Sequence, residues 1–325
     1  MFVKNKSERK LPMKSIITEE MRYRKKVVEY AIKYQNNAQS ARRYHTSRQN
    51  VKRWRDRYDG SWESLRPLSR RPHSHPFQHR PEELELIKKK FQRYGHEGLA
   101  EVYVQCCRQG YKRSYDSMCK QIREKGWQKK KPPTQKHSPK SKWHPTKVSS
   151  PGGKVQIDIK YVPPQCIAWD SHGKRYYQIT AIDEYSRKRV CKIVDEKSVT
   201  HTATFLIDLE AQFGFNIQTI QTDNGTEFTN DLLQADHKSI FEEILELKGI
   251  HYQRIRPYSP WQNGIVERSH RGDSDRFYHR EFYSEAHLIS SHQRYVSRGN
   301  NIHRKVLNFK SPNEIVKAYY ERHIA

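Results

Sequence analysis

Gln218-Thr219-Ile220-Gln221-Thr222-Asp223-Asn224-Gly225-Thr226-Glu227-Phe228 carries a short β-branched run straight into an acid and then a turn. Thr219 and Ile220 favour a strand, and Asn224-Gly225 marks a sharp turn directly after it. Asp223 therefore stands at a strand end, where functional side chains of α/β sheets tend to collect. Upstream, residues 155–161, 176–182 and 189–194 read as three strands, from β-branched and aromatic residues between turn signals. Downstream, the spacing predicts a helix over 198–213, the strand at 218–221, a helix over 240–248 and a fifth strand over 251–255. Three consecutive strands followed by alternating helix and strand predict a mixed sheet flanked by helices.

Asp158 falls in the middle of the first strand, where a buried carboxylate is costly unless a metal or hydrogen bonds receive it. Glu267 belongs to a helix opening near Gln262, after Arg256-Pro257-Tyr258-Ser259-Pro260 closes the fifth strand. If the first and fourth strands are neighbours, Asp158, Asp223 and Glu267 converge, and three carboxylates suit a divalent metal for phosphodiester chemistry. Asp183, at the turn after the second strand, reads as a hairpin residue rather than a ligand.

The 325-residue chain has room for two or three domains. Its 62 Lys and Arg against 36 Asp and Glu leave a charge of +26, which calls for a polyanionic partner, nucleic acid first. No Leu-rich amphipathic stretch supports a membrane-surface role, and no apolar run is long enough to cross a bilayer. Without a secretory leader pattern, the expected location is cytoplasmic and nucleoid-associated, with no membrane partner. The five cysteines lack Cys-x-x-Cys spacing and read as reduced core thiols rather than a zinc site.

Residues 24–58 read as three helices with apolar faces at Val27, Val28, Ala31 and Ile32, at Ala38, Ala41 and Tyr44, and at Val51, Trp54 and Tyr58. Ser47 is the expected N-cap of the third. The short break at Tyr44-His45-Thr46 suits a helix-turn-helix whose last helix offers Arg48, Gln49, Asn50, Lys52, Arg53 and Arg55 to DNA. A packing module with a solvated basic face is the alternative. The Leu65 to Pro72 stretch, with Arg70 and Arg71, reads as a linker lying on the phosphate backbone. A second three-helix pattern follows over 81–127, suited to DNA reading or to packing and dimerisation. Residues 128–153 form an expected basic tether in which Lys129, Lys130 and Lys131 track the duplex.

Gln156-Ile157-Asp158, the run from Thr222 to Phe228, and the run from Pro257 to Arg268 together closely resemble the catalytic core of DDE transposases of bacterial insertion sequences, relatives of retroviral integrases. The resemblance spans roughly residues 154–315, and Ser311-Pro312-Asn313-Glu314 is similar to that family's closing motif. It implies an α/β chain with a ribonuclease-H-like mixed-sheet catalytic core, preceded by all-α helix-turn-helix domains. The implied division is a first helix-turn-helix domain over 1–60, an Arg/Pro linker over 61–80, a second helix-turn-helix-like domain over 81–127, the tether over 128–153, the core over 154–282 and a C-terminal extension over 283–325. It also implies a transposase that binds terminal inverted repeats and cleaves and joins DNA strands. Asp158, Asp223 and Glu267 are then catalytic and hold two Mg²⁺ per site, with Mn²⁺ as a substitute. Asn263 orients the Glu267 carboxylate or touches the scissile DNA, with plain helix capping as the alternative, and His270 and Arg271 contact phosphate near the cut. Expected partners are double-stranded DNA, as transposon ends and target, and further copies of the chain in a dimer or higher assembly. A catalytically inactive, transposase-derived repressor is the alternative. The interval between Asp223 and Glu267 is longer than in many relatives, and the surplus is expected as a surface loop over 231–241.

Overall fold

The computed structural model describes residues 17–68, 72, 75–128, 148–230, 237–257 and 259–324. Arg70, Arg71, Lys129, Lys130 and Lys131, expected on DNA, lie outside the described residues, as does most of the tether. The chain divides into two compact units, Met1–Gln78 and His79–Ala325.

The first unit is built from α1 (Glu19–Lys33), α2 (Asn37–Arg43) and α3 (Arg48–Arg57). Each begins on a side chain that accepts from the first-turn amides: Thr18, Asn36 and, as its sequence position predicts, Ser47. Val27, Ala31, Ala41 and Val51 form the core, with Tyr44 and Trp54 packed against it. Ile32, expected inside, is exposed, while Met21, one turn earlier than the expected first helix, is buried. Leu65 is also wholly buried, and its carbonyl accepts from Arg24 Nη1 at 3.1 Å. The expected linker therefore begins after Leu65, because that side chain finds a place in the helical core while Leu68 stays exposed.

In the second unit, α4 (Pro81–Tyr94), α5 (Leu99–Cys107) and α6 (Tyr115–Glu124) form a three-helix module around Ile87, Val102, Cys106, Met118 and Ile122. Cys106 and Cys119 are buried as expected, whereas Cys107 is exposed. The module packs on the end of the chain. Glu101 accepts from both the backbone and the ring of His303, and Tyr103 and Tyr115 hold Phe309 at ring separations of 4.9 and 5.2 Å. Of its two expected roles, these contacts supply the packing one.

Beyond it lies a five-stranded sheet in the order β3-β2-β1-β4-β5. Its strands are β1 (Val155–Tyr161), β2 (Tyr177–Asp183), β3 (Arg189–Val194), β4 (Thr219–Thr222) and β5 (His251–Arg254). β1, β2 and β3 run antiparallel, while β4 and β5 lie parallel to β1. Period-two alternation sends Val155, Ile157, Ile179, Ala181, Val190, Val194 and Ile220 to one face. There they join α7 (Val199–Ile207), α8 (Leu209–Phe213) and α9 (Ile240–Leu247) in the main core. The single helix expected over 198–213 breaks at Asp208, whose ψ of −2° leaves the helical range. Lys154, at the expected boundary between tether and core, is a largely buried partner of Glu184 at 3.8 Å.

The alternate positions Gln156, Asp158, Lys160, Gln178, Thr180, Arg189 and Cys191 face the other way. They lie beneath α10 (Gly264–Arg276) and α11 (Glu285–Gly299). The last helix, α12 (Pro312–Ile324), contributes Val316 and Tyr320 to the apolar side. Phe241, expected within a surface loop, is fully buried against Phe228 with ring centroids 5.3 Å apart. The loop reading fails there because Ser239 already starts α9, with a capping box to Glu242, and its hydroxyl donates to the Phe228 carbonyl.

Candidate active site

β1 and β4 are parallel neighbours, with Gln156 opposite Gln221. Asp158 and Asp223 each follow the matched glutamine by two residues, so they leave adjacent strands at the same level of the sheet, on strands spaced about 4.8 Å apart. The start of α10 is fixed beside them by the glutamines themselves. Gln156 Oε1 accepts from the Val266 amide at 3.1 Å, and its Nε2 donates to the Gln262 carbonyl at 3.1 Å. Gln221 Nε2 donates to the same carbonyl at 2.9 Å and to Asn263 Oδ1 at 3.0 Å. Glu267 sits one residue beyond this clamp. Neither glutamine was singled out in the sequence, although the repeated pattern Gln156-Ile157-Asp158 and Gln221-Thr222-Asp223 is a signal that could have found them.

The turn after β4 holds Asp223 in place. Gly225 N–H donates to Asp223 Oδ1 at 3.1 Å, and Asn224 Nδ2 donates to the Ile255 carbonyl at 3.1 Å, pinning the turn to the end of β5. A Cβ on Gly225 would stand 2.5 Å from the Glu227 carboxylate, so a larger residue there would displace that side chain. Glu227 is buried and pairs with Lys197 Nζ at 2.8 Å.

Electrostatics ties the three acids together. Burial pushes the Asp223 carboxyl up, and the charges of Asp158 and Glu227 add to the rise against the opposing Gly225 N–H and Lys197. Glu267 is raised by burial and by Asp158 and Asp223, with His270 opposing. Each of these two therefore feels the other acid or Asp158 as a like charge that disfavours ionisation. Three hard carboxylates form a donor set suited to Mg²⁺ or Mn²⁺, and a cation would remove the repulsion they share. Among the described residues, no three His, Cys, Asp or Glu side chains are already gathered as a ligand cage.

The remaining expected residues divide. His270 is buried, with Nδ1 3.3 Å from Asp158 Oδ2, so it faces the acid rather than DNA at the surface. Asn263 is buried too. Its Oδ1 is taken by Gln221, and its Nδ2 lies 3.5 Å from the Ile157 carbonyl, which makes it a strut between strands and helix instead of a DNA contact. Arg271 is exposed. Asp183 is the hairpin residue expected, accepting from the Ser186 amide and hydroxyl and from Gly152 N–H. On α3, Arg48, Gln49, Lys52 and Arg53 are exposed, and Arg53 donates to Asn50 at 3.1 Å. Arg55 is instead tied down within the unit by Asn37 and Gln35, which leaves less of it for a ligand.

Residues 148–260 match the integrase core domain, and residues 24–73 match a helix-turn-helix domain. The first match takes in Asp158 and Asp223 and ends before Glu267. The chain is 30% identical over 171 residues to "Putative integrase ORF3" of Spiroplasma virus SpV1-C74, covering 49% of this chain and 46% of that protein. It is also 30% identical over 104 residues to the retrovirus-related Pol polyprotein from transposon TNT 1-94 of Nicotiana tabacum, covering 31% of this chain and 7% of that protein. The chain thus spans under half the length of either relative. The crystal structure of the catalytic core domain of BIV integrase superposes with a TM-score of 0.39 at 19% identity, covering 54% of this chain and 99% of that one. No helix among the described residues is long and apolar enough to cross a membrane.

Proposed function

We propose, from the premise that the chain carries an integrase core domain behind a helix-turn-helix domain, that it is a DNA transposase acting on the terminal inverted repeats of an insertion sequence. The observation that carries this reading is the shared electrostatic neighbourhood of Asp158, Asp223 and Glu267, in which Asp223 and Glu267 are pushed up in part by the other acids. In this reading those carboxylates hold divalent magnesium, which when bound supplies activation of the attacking hydroxyl and stabilisation of the leaving oxygen in an in-line displacement.

The chain's own residues do the positioning. Gln156 and Gln221 hold the start of α10 against the two strands, so that Glu267 is presented beside Asp158. His270 keeps the Asp158 carboxylate oriented, and Gly225 leaves room for Glu227 to sit against the Asp223 turn. The exposed Arg48, Gln49, Lys52 and Arg53 on α3 suit phosphates and base edges, and the charge of +26 favours a polyanion throughout. Paired element ends call for at least two copies of the chain on DNA.

A strand-transfer assay with Mg²⁺ and the element's own ends tests this. The wild type joins ends to target, and Asp223→Asn loses activity on the order of 10³-fold while still binding the ends. Equal joining by both proteins removes Asp223 from the chemistry. Binding without any cleavage by the wild type turns the reading to the repressor.

A further inference from the structure

Two lysines flank the three acids, one on each face of the sheet. Period-two alternation puts Lys160 on the same face as Asp158, about 6.6 Å further along β1. β1 runs on to Tyr161 after β4 has ended at Thr222, so Lys160 stands on a strand edge that β4 leaves open. Lys160 Nζ donates to Ser274 Oγ at 2.8 Å, and that hydroxyl donates to the His270 carbonyl at 3.2 Å. Glu267, His270 and Ser274 fall on one face of α10 by their spacing. Lys160 is half-buried and makes no ion pair within 4 Å among the described residues, while Asp158, the acid nearest to it in sequence, has His270 at 3.3 Å.

Lys197 stands on the other side, just before α7, which packs on the apolar face. Its Nζ lies 2.8 Å from Glu227 Oε1. The Glu227 carboxylate in turn lies 2.5 Å from where a Cβ on Gly225 would stand, and Gly225 N–H donates to Asp223 Oδ1 at 3.1 Å. Thr202 of α7 donates to the Glu227 carbonyl at 2.7 Å, so the start of α7 and the Asp223 turn are fastened together. Only 4% of the Glu227 side chain is exposed, against 45% of Lys197, so the pair anchors the ammonium from below and leaves its other donors to solvent. Of the acids beside Lys197 in sequence, Asp195 is engaged by Lys174 at 3.7 Å and His201 at 3.5 Å, and Glu196 is exposed.

We propose that Lys160 and Lys197 bind the phosphates on either side of the scissile bond, so that the cut strand crosses the sheet edge from one lysine, over Asp158, Asp223 and Glu267, to the other. This path rests on the strand-cleaving reading of the acids. Carboxylates that share one neighbourhood repel a phosphate chain as well as one another, and an ammonium on each side offsets that repulsion where the strand enters and leaves. Each ammonium has one donor fixed, by Ser274 or by Glu227, and the rest free for phosphate oxygens. A strand carries one charge per ~3.4 Å of helix axis, so the ~6.6 Å from Asp158 to Lys160 along β1 matches about two nucleotides.

The full chain is compared as wild type, Lys160→Gln, Lys197→Gln, Lys160→Arg and Lys197→Arg. Fluorescence anisotropy with the element's end duplex, in EDTA over a range of salt, reads phosphate contacts without metal or chemistry. Each Gln variant is expected to bind about fivefold more weakly with a salt slope shallower by about 0.9, and each Arg variant to restore both. In Mg²⁺ the Gln variants are expected to raise the KM for DNA about fivefold and to keep kcat within about twofold. Mn²⁺ affinity is expected to hold in all five proteins, which separates loss of a strand contact from damage to the acids. Exposed Lys197 keeps the test valid if Lys160→Gln misfolds. If the wild type binds ends but cleaves none, the transposase reading fails, and the salt slopes by themselves decide the lysines. A Gln variant whose slope matches the wild type, or an Arg variant as impaired as its Gln counterpart, overturns the path.

Discussion

The two faces of the five-stranded sheet are built from opposite chemistry. One face stacks Val155, Ile157, Ile179, Ala181, Val190, Val194 and Ile220 against Phe205, Phe213, Phe228 and Phe241. The other face carries Gln156, Asp158, Lys160, Gln178, Thr180 and Arg189 under α10 and α11, where nearly every group has a named partner. The apolar face gains stability from area removed from water, which does not depend on direction. The polar face gains little net stability from its hydrogen bonds but fixes orientation, because a buried polar group without its partner is costly. That division gives the candidate active site a rigid floor on one side and a directional clamp on the other.

Three substitutions separate the faces, beginning with the largest expected effect. Phe241→Ala empties a fully buried aromatic site on the apolar face, and the expected loss is about 4 kcal/mol in denaturant unfolding. A loss below about 1 kcal/mol would mean the face is not packed as described.

On the polar face, burial opposes ionisation of Asp273, yet Arg189, Gln178 and Tyr295 hold its carboxyl below the usual range. Asp273→Asn leaves the buried Arg189 charge without its counter-ion, at an expected cost of about 3 kcal/mol. Replacing both partners together, as Arg189→Met with Asp273→Leu, is expected to recover most of that loss, which no substitution on the apolar face would do. Additive losses in the double variant would show that the pair is not a closed unit.

The smallest effect is a pH dependence confined to the polar side. Burial pushes the His292 imidazole down to about 4. A depressed histidine means that the unfolded chain binds the proton more readily, so this stability is present above pH ~6.5 and is lost as pH falls toward the folded value. Unfolding free energy should drop by roughly 2 kcal/mol between pH 7 and 5 through this group. His292→Phe, which keeps the edge contact with Phe277, should flatten that slope, and an unchanged slope would remove His292 as its source.

The same contrast explains what could be read in the sequence. The apolar face was legible because alternation in 155–161 and 189–194 is local and has only one good solution, and the acid after β4 follows from the turn beside it. The domain matches over 24–73 and 148–260 fall on the expected three-helix and mixed-sheet regions. The polar face was not legible in detail, since its partners are far apart: Gln156 meets Gln262 across 106 residues, and Gln178 meets Asp273 across 95. A glutamine or histidine read in isolation looks like a surface residue until the chain brings its partner. For that reason Asn263 and His270 were expected at DNA and are found inside. Phe241 stood in two overlapping expectations, the surface loop over 231–241 and the helix over 240–248, and the capping box of Ser239 and Glu242 puts it in the helix.

The central claim is that Asp158, Asp223 and Glu267 act as one cation-binding unit. Calorimetric titration of Mn²⁺ into the wild type, Asp158→Asn, Asp223→Asn and Glu267→Gln tests it without relying on activity. The account predicts that each single substitution weakens Mn²⁺ binding by about tenfold or more while leaving the protein folded. Mn²⁺ binding that is unchanged in any one of the three variants would contradict it.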